Sequence, residues 1–259
     1  MIITTDAVIL RSRKHGETSR IVTLYTREHG KLSAVAKGVR GGGRSRRVIP
    51  MDPATIVRTV LYVRESRDLQ LLTQCDVVAP LDVLRSDLDR MAAALGVVEL
   101  TELVTPPGEV SEELYALLCG TLTGLAGATS NAENALYYYE ARMLGVLGFR
   151  PELHRCVGCR AMIAEEQGGG EGEVRMSASG VVCPRCAASH RGLLAVSRPA
   201  LRILQRMQEV ESVEPILRIA LSPPVKSELA RILHLFLQSH AVGYRALKSQ
   251  EVFAAIAGG

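Results

Sequence analysis

The chain has 259 residues, 47% hydrophobic and 22% charged, with a formal net charge of +4. That composition suits a globular protein able to bury a core without disulfide staples, and the length fits two domains comfortably. No run of about 18 apolar residues occurs, and Met1–Leu10 lacks the basic start and apolar block of a secretion signal, Asp6 interrupting it. A membrane span and a signal peptide are therefore not expected, and the expected location is the cytoplasm.

Charge is unevenly distributed. Residues 1–80 hold 14 Lys and Arg against 7 Asp and Glu, whereas the remainder holds 17 against 20. Long-range attraction of a polyanion depends on where charge collects, so the first part is the candidate nucleic-acid surface, the alternative being a solvated basic face. Aromatics are scarce, with three Phe, seven Tyr and no Trp. Any base stacking must therefore use Tyr, Phe or Arg planes.

Residues 1–80 read as five strands: Asp6–Arg11, Ile21–Thr26, Leu32–Val39, Ala54–Val63 and Leu69–Val77. Alternation puts Ile21, Thr23 and Tyr25 on one face of the second, with Val22 and Leu24 on the other. Turn signals at Gly16, Gly30, Gly41–Gly43, Pro50 and Pro53 separate them. Five short strands suit a closed OB-type barrel, and equally an open sheet or an SH3-like barrel.

From Pro80 the period becomes helical. Leu81, Leu84, Leu88, Met91 and Leu95 mark a first stripe. Pro106-Pro107-Gly108 breaks the chain, and Ser111 then caps a second helix carrying Leu114, Leu117, Leu118, Leu122 and Leu125. Asn131 is the candidate cap of a third, through Leu136, Tyr139, Met143 and Leu147, which Gly148 stops. Ser197 and Pro199 start a further helix with Leu201 and Leu204, Pro215–Leu221 form a short one, and a last long helix carries Leu229, Ile232, Leu233, Phe236 and Leu237. The expected class is α+β: a five-stranded barrel over 1–79 and a helical domain over 80–259.

The sharpest chemical signal is a pair of C-x-x-C motifs, Cys156-Val-Gly-Cys159 and Cys183-Pro-Arg-Cys186, with 23 residues between them. Two intervening residues let both sulfurs of a knuckle face one tetrahedral ion, and two knuckles supply four thiolates. Four cysteines leave no open position for water, so one structural Zn2+ per chain is expected, in an insert at about 153–190. His154 and His190 lie nearby, but the two-by-two spacing favours the cysteines. Cys75 and Cys119 fall on apolar patterns and read as core residues.

The segment Lys37-Gly38-Val39-Arg40-Gly41-Gly42-Gly43-Arg44-Ser45-Arg46-Arg47 puts five cations in eleven residues. A second cluster, Arg11, Arg13, Lys14 and Arg20, flanks the first turn. Loops of a small barrel can bring such clusters together into a groove that tracks a phosphate backbone. No Gly-Lys-Ser/Thr follows the glycines, and G-x-S-x-G, H-E-x-x-H and H-x-E signatures are missing. The expectation is a non-enzymatic protein that binds nucleic acid, DNA or RNA, with Arg11, Arg13, Lys14, Arg20, Lys37, Arg40, Arg44, Arg46 and Arg47 as candidate contacts. The alternatives are an adaptor that binds acidic tails of partners without touching DNA, and a nuclease with scattered carboxylates.

Ordered motifs across the chain resemble the bacterial RecO family. They are Gly16-Glu17-Thr18-Ser19-Arg20-Ile21, Leu24-Tyr25-Thr26-Arg27-Glu28-His29-Gly30-Lys31 and Val35-Ala36-Lys37-Gly38-Val39-Arg40 in the first part. Leu144 to Pro151 leading into Cys156, Ser179 to Cys183, and Leu247-Lys248-Ser249 with Glu251 and Phe253 follow in order. The resemblance implies an N-terminal OB-fold and a helical C-terminal domain. It also implies binding to single- and double-stranded DNA and annealing of complementary strands. It further implies work with RecR, and RecF in one branch, to load RecA onto DNA coated by single-strand-binding protein, whose acidic C-terminal tail many members contact. It implies location on the nucleoid. Where that family places cations on the third long helix near a tail pocket, this sequence has Tyr137-Tyr138-Tyr139, with Arg142 one turn on.

Overall fold

The computed structural model describes residues 1–37, 51–64, 66–79, 81–163 and 173–257. Strands β1 (Ile2–His15), β2 (Ser19–Thr26), β3 (Gly30–Ala36), β4 (Ile56–Tyr62) and β5 (Leu69–Val77) close into a barrel of order β1-β2-β3-β5-β4. β3 and β5 run parallel and the other pairs antiparallel. Because β1 reaches both β2 and β4, the sheet has no free edge. The OB-type barrel is thus the form adopted among the alternatives that periodicity allows.

Ile3, Ala7, Ile9, Val22, Leu24, Ala34, Ala36, Val57, Leu61 and Leu72 fill the interior. Alternate residues supply it, and Ala34 and Ala36 suit a narrow barrel. The long β1 serves two partners, pairing over Ile2–Val8 with β4 and over Ala7–His15 with β2. Between Ile9 and Arg11 its register slips by one residue, a β-bulge. At that point Ile9 N–H donates to Thr55 O at 3.0 Å and Ala54 N–H to Ile9 O at 2.9 Å. Ile9 faces inward, and strict alternation would carry Arg11 and Arg13 in after it. The extra residue turns both outward.

The barrel is followed by a 3₁₀ turn (Asp82–Arg85), α1 (Leu88–Val104) and α2 (Glu112–Ala126). Asp87 caps α1 by accepting from Arg90 N–H, and Ser111 caps α2 by accepting from Leu114 N–H, as anticipated for Ser111. The α1 stripe differs from expectation. Leu88 is 50% exposed, and the buried set is Ala93, Ala94, Val97, Val98, Leu100, Thr101 and Val104. The run Ala92 to Val98 offers little polar contrast, so the leucines alone mark the wrong side.

Next come α3 (Asn134–Val146), β6 (Glu173–Ser177), β7 (Gly180–Val182), α4 (Pro184–Ala187), β8 (Leu194–Ser197), α5 (Arg198–Glu209), α6 (Glu214–Leu217), α7 (Pro223–His240) and α8 (Lys248–Ala257). The strands β7-β6-β8, a small antiparallel sheet, and the helix α8 were not expected. α3 ends in a Schellman turn at Gly148 (φ +82), with Phe149 N–H on Leu144 O and Gly148 N–H on Gly145 O. Asn131 does not cap α3. It adopts φ +52 and donates from Nδ2 to Leu217 O at 3.1 Å, while a turn from Asn131 already leads into the helix. Ser197 does cap α5, through Ala200 N–H.

Two compact units result: Met1–Gly127 with Leu247–Gly259, and Ala128–Ala246. In the first, α8 docks on α1, where the Glu99 carboxylate accepts from the N–H groups of Lys248 (2.9 Å) and Ser249 (2.8 Å). In the second, α3, α5 and α7 bury Leu136, Met143, Leu144, Leu201, Leu204, Leu229, Ile232, Leu233 and Phe236.

Glu140 of α3 is buried in that second core, and desolvation pushes its carboxyl up to about 8. Its ordinary value is 4.5. The folded state therefore keeps a proton that the unfolded chain sheds, and stability falls as pH rises from 4.5 towards 8. Glu140→Gln should stabilise this unit by about 3 kcal/mol at pH 7 and by almost nothing at pH 4.5. Denaturant titrations at the two pH values check this.

Candidate metal centre and basic surface

The four motif cysteines come from two chain segments held together by main-chain pairing. Glu152 N–H donates to Ser179 O at 3.0 Å, Val181 N–H to Glu152 O at 2.9 Å, and Val157 N–H to Val181 O at 2.9 Å. At Gly180, φ is +135 and a Cβ would lie 2.1 Å from Glu152 O, so only glycine allows this approach. The first knuckle closes through Cys156 N–H on Ala161 O (2.8 Å) and Arg160 N–H on Cys156 O (2.9 Å). The second closes through Cys186 N–H on Cys183 O at 3.0 Å, with Pro184 opening α4.

As a result the Sγ atoms of Cys156, Cys159, Cys183 and Cys186 all lie within 4.8 Å of one another. Cys159 and Cys183 are 3.7 Å apart, sulfur to sulfur. A disulfide needs about 2.05 Å, whereas sulfurs bound at about 2.3 Å to one tetrahedral zinc are about 3.8 Å apart. The donor set and its spacing fit a four-thiolate metal. Val157, Ile163, Val182, Ala187 and Leu193 pack around it. A Cβ on Gly158 would stand 3.1 Å from Cys186 Sγ, so bulk there would crowd the cluster.

The electrostatics favour a cation. Burial raises the Cys156 thiol, but the N–H groups of Cys183, Cys159 and Gly158 outweigh it and bring it down to about 6. The Cys186 N–H lowers Cys183. Cys186 is pushed up to about 12, chiefly because it shares its proton with the sulfurs of Cys183 and Cys159. Four crowded sulfurs cannot all ionise unaided, and a divalent ion removes that conflict. His190 Nδ1 meets Cys186 O at 3.0 Å, and His154 lies 4.0 Å from Glu209, so neither is in the cluster. Cys75 is a barrel core residue, as expected. Cys119 is half-buried, and burial raises its thiol to about 11.

The barrel cations sit on the β1–β2 hairpin. Cross-strand partners share a face, and Arg11 lies opposite Thr23, Arg13 opposite Ile21, and Lys14 opposite Arg20. Arg11 and Arg13 line an outer cavity of about 360 Å³ with Ile21, Thr23, Ser33, Asp68, Leu69 and Glu102. Lys14 and Arg20 belong to the other face, at the mouth of the barrel. The hairpin therefore presents cations on both sides rather than on one. Arg11 also contacts Glu102 at 3.5 Å. Arg20 Nε and Ser12 Oγ, neighbours on the inner side, are buried with no hydrogen-bond partner among the described residues. Lys37 is exposed just beyond β3. Arg40, Arg44, Arg46 and Arg47 lie outside the described residues.

With this geometry in hand, the comparisons with known proteins decide the family. The family model "Recombination protein O N terminal" matches residues 1–81, and "Recombination protein O C terminal" matches residues 85–251. The chain belongs to the RecO family. It is 34% identical to the DNA repair protein RecO of Pelotomaculum thermopropionicum over 240 residues, 91% of this chain and 88% of that one. It is 33% identical to that of Symbiobacterium thermophilum over 248 residues, 95% and 94% of the two chains. To that of Anaeromyxobacter sp. (strain K) it is 34% identical, covering 90% and 89%. Family membership assigns this RecO chain a role in DNA repair and recombination. Among the described residues no helix is long and apolar enough to cross a membrane.

Sequence reasoning missed two features of this RecO chain. Tyr62 is 37% exposed on the outer face, with the Arg64 guanidinium 5.3 Å above its ring, a surface aromatic that alternation alone does not distinguish from core. Arg142, next to the tyrosines of α3, donates from Nη1 to Gln208 O (3.1 Å) and Val210 O (3.0 Å), tying down the end of α5. Tyr138 and Tyr139 are buried.

Proposed function

We propose that this protein is a non-enzymatic DNA repair mediator that binds single- and double-stranded DNA through its barrel and anneals complementary strands. In the cytoplasm, on the nucleoid, it would act with RecR, and with RecF where present, to load RecA onto DNA coated by single-strand-binding protein, contacting that protein's acidic C-terminal tail. Family membership supports the repair role, and the observation that carries DNA binding is the cation-bearing hairpin on a closed OB-type barrel. Arg13, Lys14, Arg20 and Lys37, with Arg11 beside them and Arg40, Arg44, Arg46 and Arg47 on the following segment, would neutralise phosphates. One Zn2+ held by Cys156, Cys159, Cys183 and Cys186 would fix the knuckles. With all four positions filled by sulfur its contribution is structural.

The deciding experiment mixes complementary strands, each coated with single-strand-binding protein, and follows duplex formation with and without this protein. Acceleration supports the reading, and an unchanged rate refutes the mediator role. The division of hairpin cations between two faces favours a second reading, an adaptor for acidic protein tails. A long single strand that gives no gel shift while an acidic tail peptide binds would establish it.

A further inference from the structure

We propose that Arg155, Arg160, Arg185 and Arg191 form a second surface for a nucleic-acid backbone, on the cysteine knuckles, and that this surface holds the second of two strands during annealing. The inference rests on the proposed DNA-binding role and extends it to a separate site.

Annealing is a problem of charge. Two complementary strands are both polyanions, and a protein that grips only one still leaves the other repelled. Accelerating their encounter requires cations against both. The barrel supplies one set, and the second unit supplies another in an unexpected place. Arg155 precedes Cys156, Arg160 follows Cys159, Arg185 lies between Cys183 and Cys186, and Arg191 follows His190, whose ring meets Cys186 O. Because the four sulfurs lie within 4.8 Å of one another, the arginines flanking them are gathered on one small body.

All four are exposed, and among the described residues none forms an ion pair or a side-chain hydrogen bond. Several other arginines of this unit are occupied, although Arg202, Arg206 and Arg245 are exposed outside the knuckle segments. Arg142 and Arg150 hold the end of α5, Arg175 faces Glu173 at 4.0 Å, and Arg231 donates to Ala195 O. Among the described residues, one carboxylate beside this surface is Glu152. Its Oε1 accepts from the main-chain N–H groups of His154 (2.9 Å) and Arg155 (3.1 Å), which with the nearby Arg160 charge keep it ionised. The knuckle backbone is fixed by the bonds already described, so the guanidinium groups project from a preorganised base. Guanidinium forks match phosphate oxygens in pairs and are weakly hydrated, which suits transient contact with a moving strand.

The test replaces Arg155, Arg185 and Arg191 together by Glu, and in a second variant by Lys, leaving Arg160 in place because its φ of +62 makes substitution there ambiguous. Bound metal and melting temperature verify the fold of both variants. Binding of one short single strand should change less than about threefold, because the barrel retains it, while annealing slows at least about tenfold in the Glu variant and recovers in the Lys variant. Unchanged annealing overturns the proposal. Equal loss of single-strand binding and annealing also overturns it, since the surface would then be part of one site. Loss of an acidic peptide with annealing intact overturns it in favour of a protein partner. If the unaltered protein binds no DNA at all, it is the underlying function that fails.

Discussion

Removal of the metal should release one zinc per chain and expose four reactive thiols while the barrel stays folded. The four sulfurs are collected from segments 24 residues apart at their nearest, Cys159 and Cys183. Among the described residues, those between them form short strands of three to five residues, too little core to hold the knuckles shut alone. A structural zinc supplies about 10–16 kcal/mol to such a site. Even a quarter of that, at about 2–4 °C per kcal/mol, lowers the melting of the second unit by about 10 °C. Cys156→Ser should act in the same direction, because Cys156 is the fully buried member of the set. Calorimetry with and without chelator, together with thiol counting, checks this. A metal-free preparation that melts identically would remove the structural role.

Single-strand binding by the barrel should weaken steeply with salt. Each phosphate neutralised on a single strand contributes a slope of about −0.7 in log affinity against log salt. The five described candidates, Arg11, Arg13, Lys14, Arg20 and Lys37, give a slope of about −3.5, so a fourfold rise in salt should cost about 100-fold in affinity. The two faces of the hairpin can be told apart. Arg11→Ala with Arg13→Ala removes the outer pair, and Lys14→Ala with Arg20→Ala removes the inner pair. The pair on the DNA track should reduce the slope by about 1.4. Because Arg11 is already engaged by Glu102, the inner pair is expected to matter more. Reversal of Arg44, Arg46 and Arg47 to Glu should flatten the slope further, and affinity unchanged at low salt would dissociate that segment from binding. Titrations at four salt concentrations supply the slopes.

Much of this was legible in the residues, for identifiable reasons. The fifth strand, Leu69–Val77, could be located to the residue, although a bulge at Thr73 breaks its alternation. The cysteine spacing predicted a cluster because two-residue knuckles have few other uses. Caps with a hydroxyl, Ser111 and Ser197, were readable, whereas Asn131 was misread because its amide is equally suited to a left-handed turn and a long-range bond. What could not be read was set by pairing between distant segments. The bulge after Ile9 decides which side Arg11 and Arg13 occupy, and no feature of β1 alone announces it. The extent of α1's buried face depends on what packs against its small residues. The change of period at Pro80 marks where strands give way to helices, while the compact units divide at Gly127 and rejoin at Leu247.

That rejoining has a consequence for how the molecule is made. α8 leaves the ribosome after the whole second unit, yet its first amides close on Glu99, in a helix synthesised about 150 residues earlier. The amino-terminal unit therefore waits, with Glu99 and the Ala92 carbonyl that later accepts from Gln250 Nε2 uncovered, through the translation of everything between. Nascent chains stalled before residue 247 should show an α1 that is more easily cleaved by protease than in the finished chain, and an added peptide spanning 247–257 should restore its resistance.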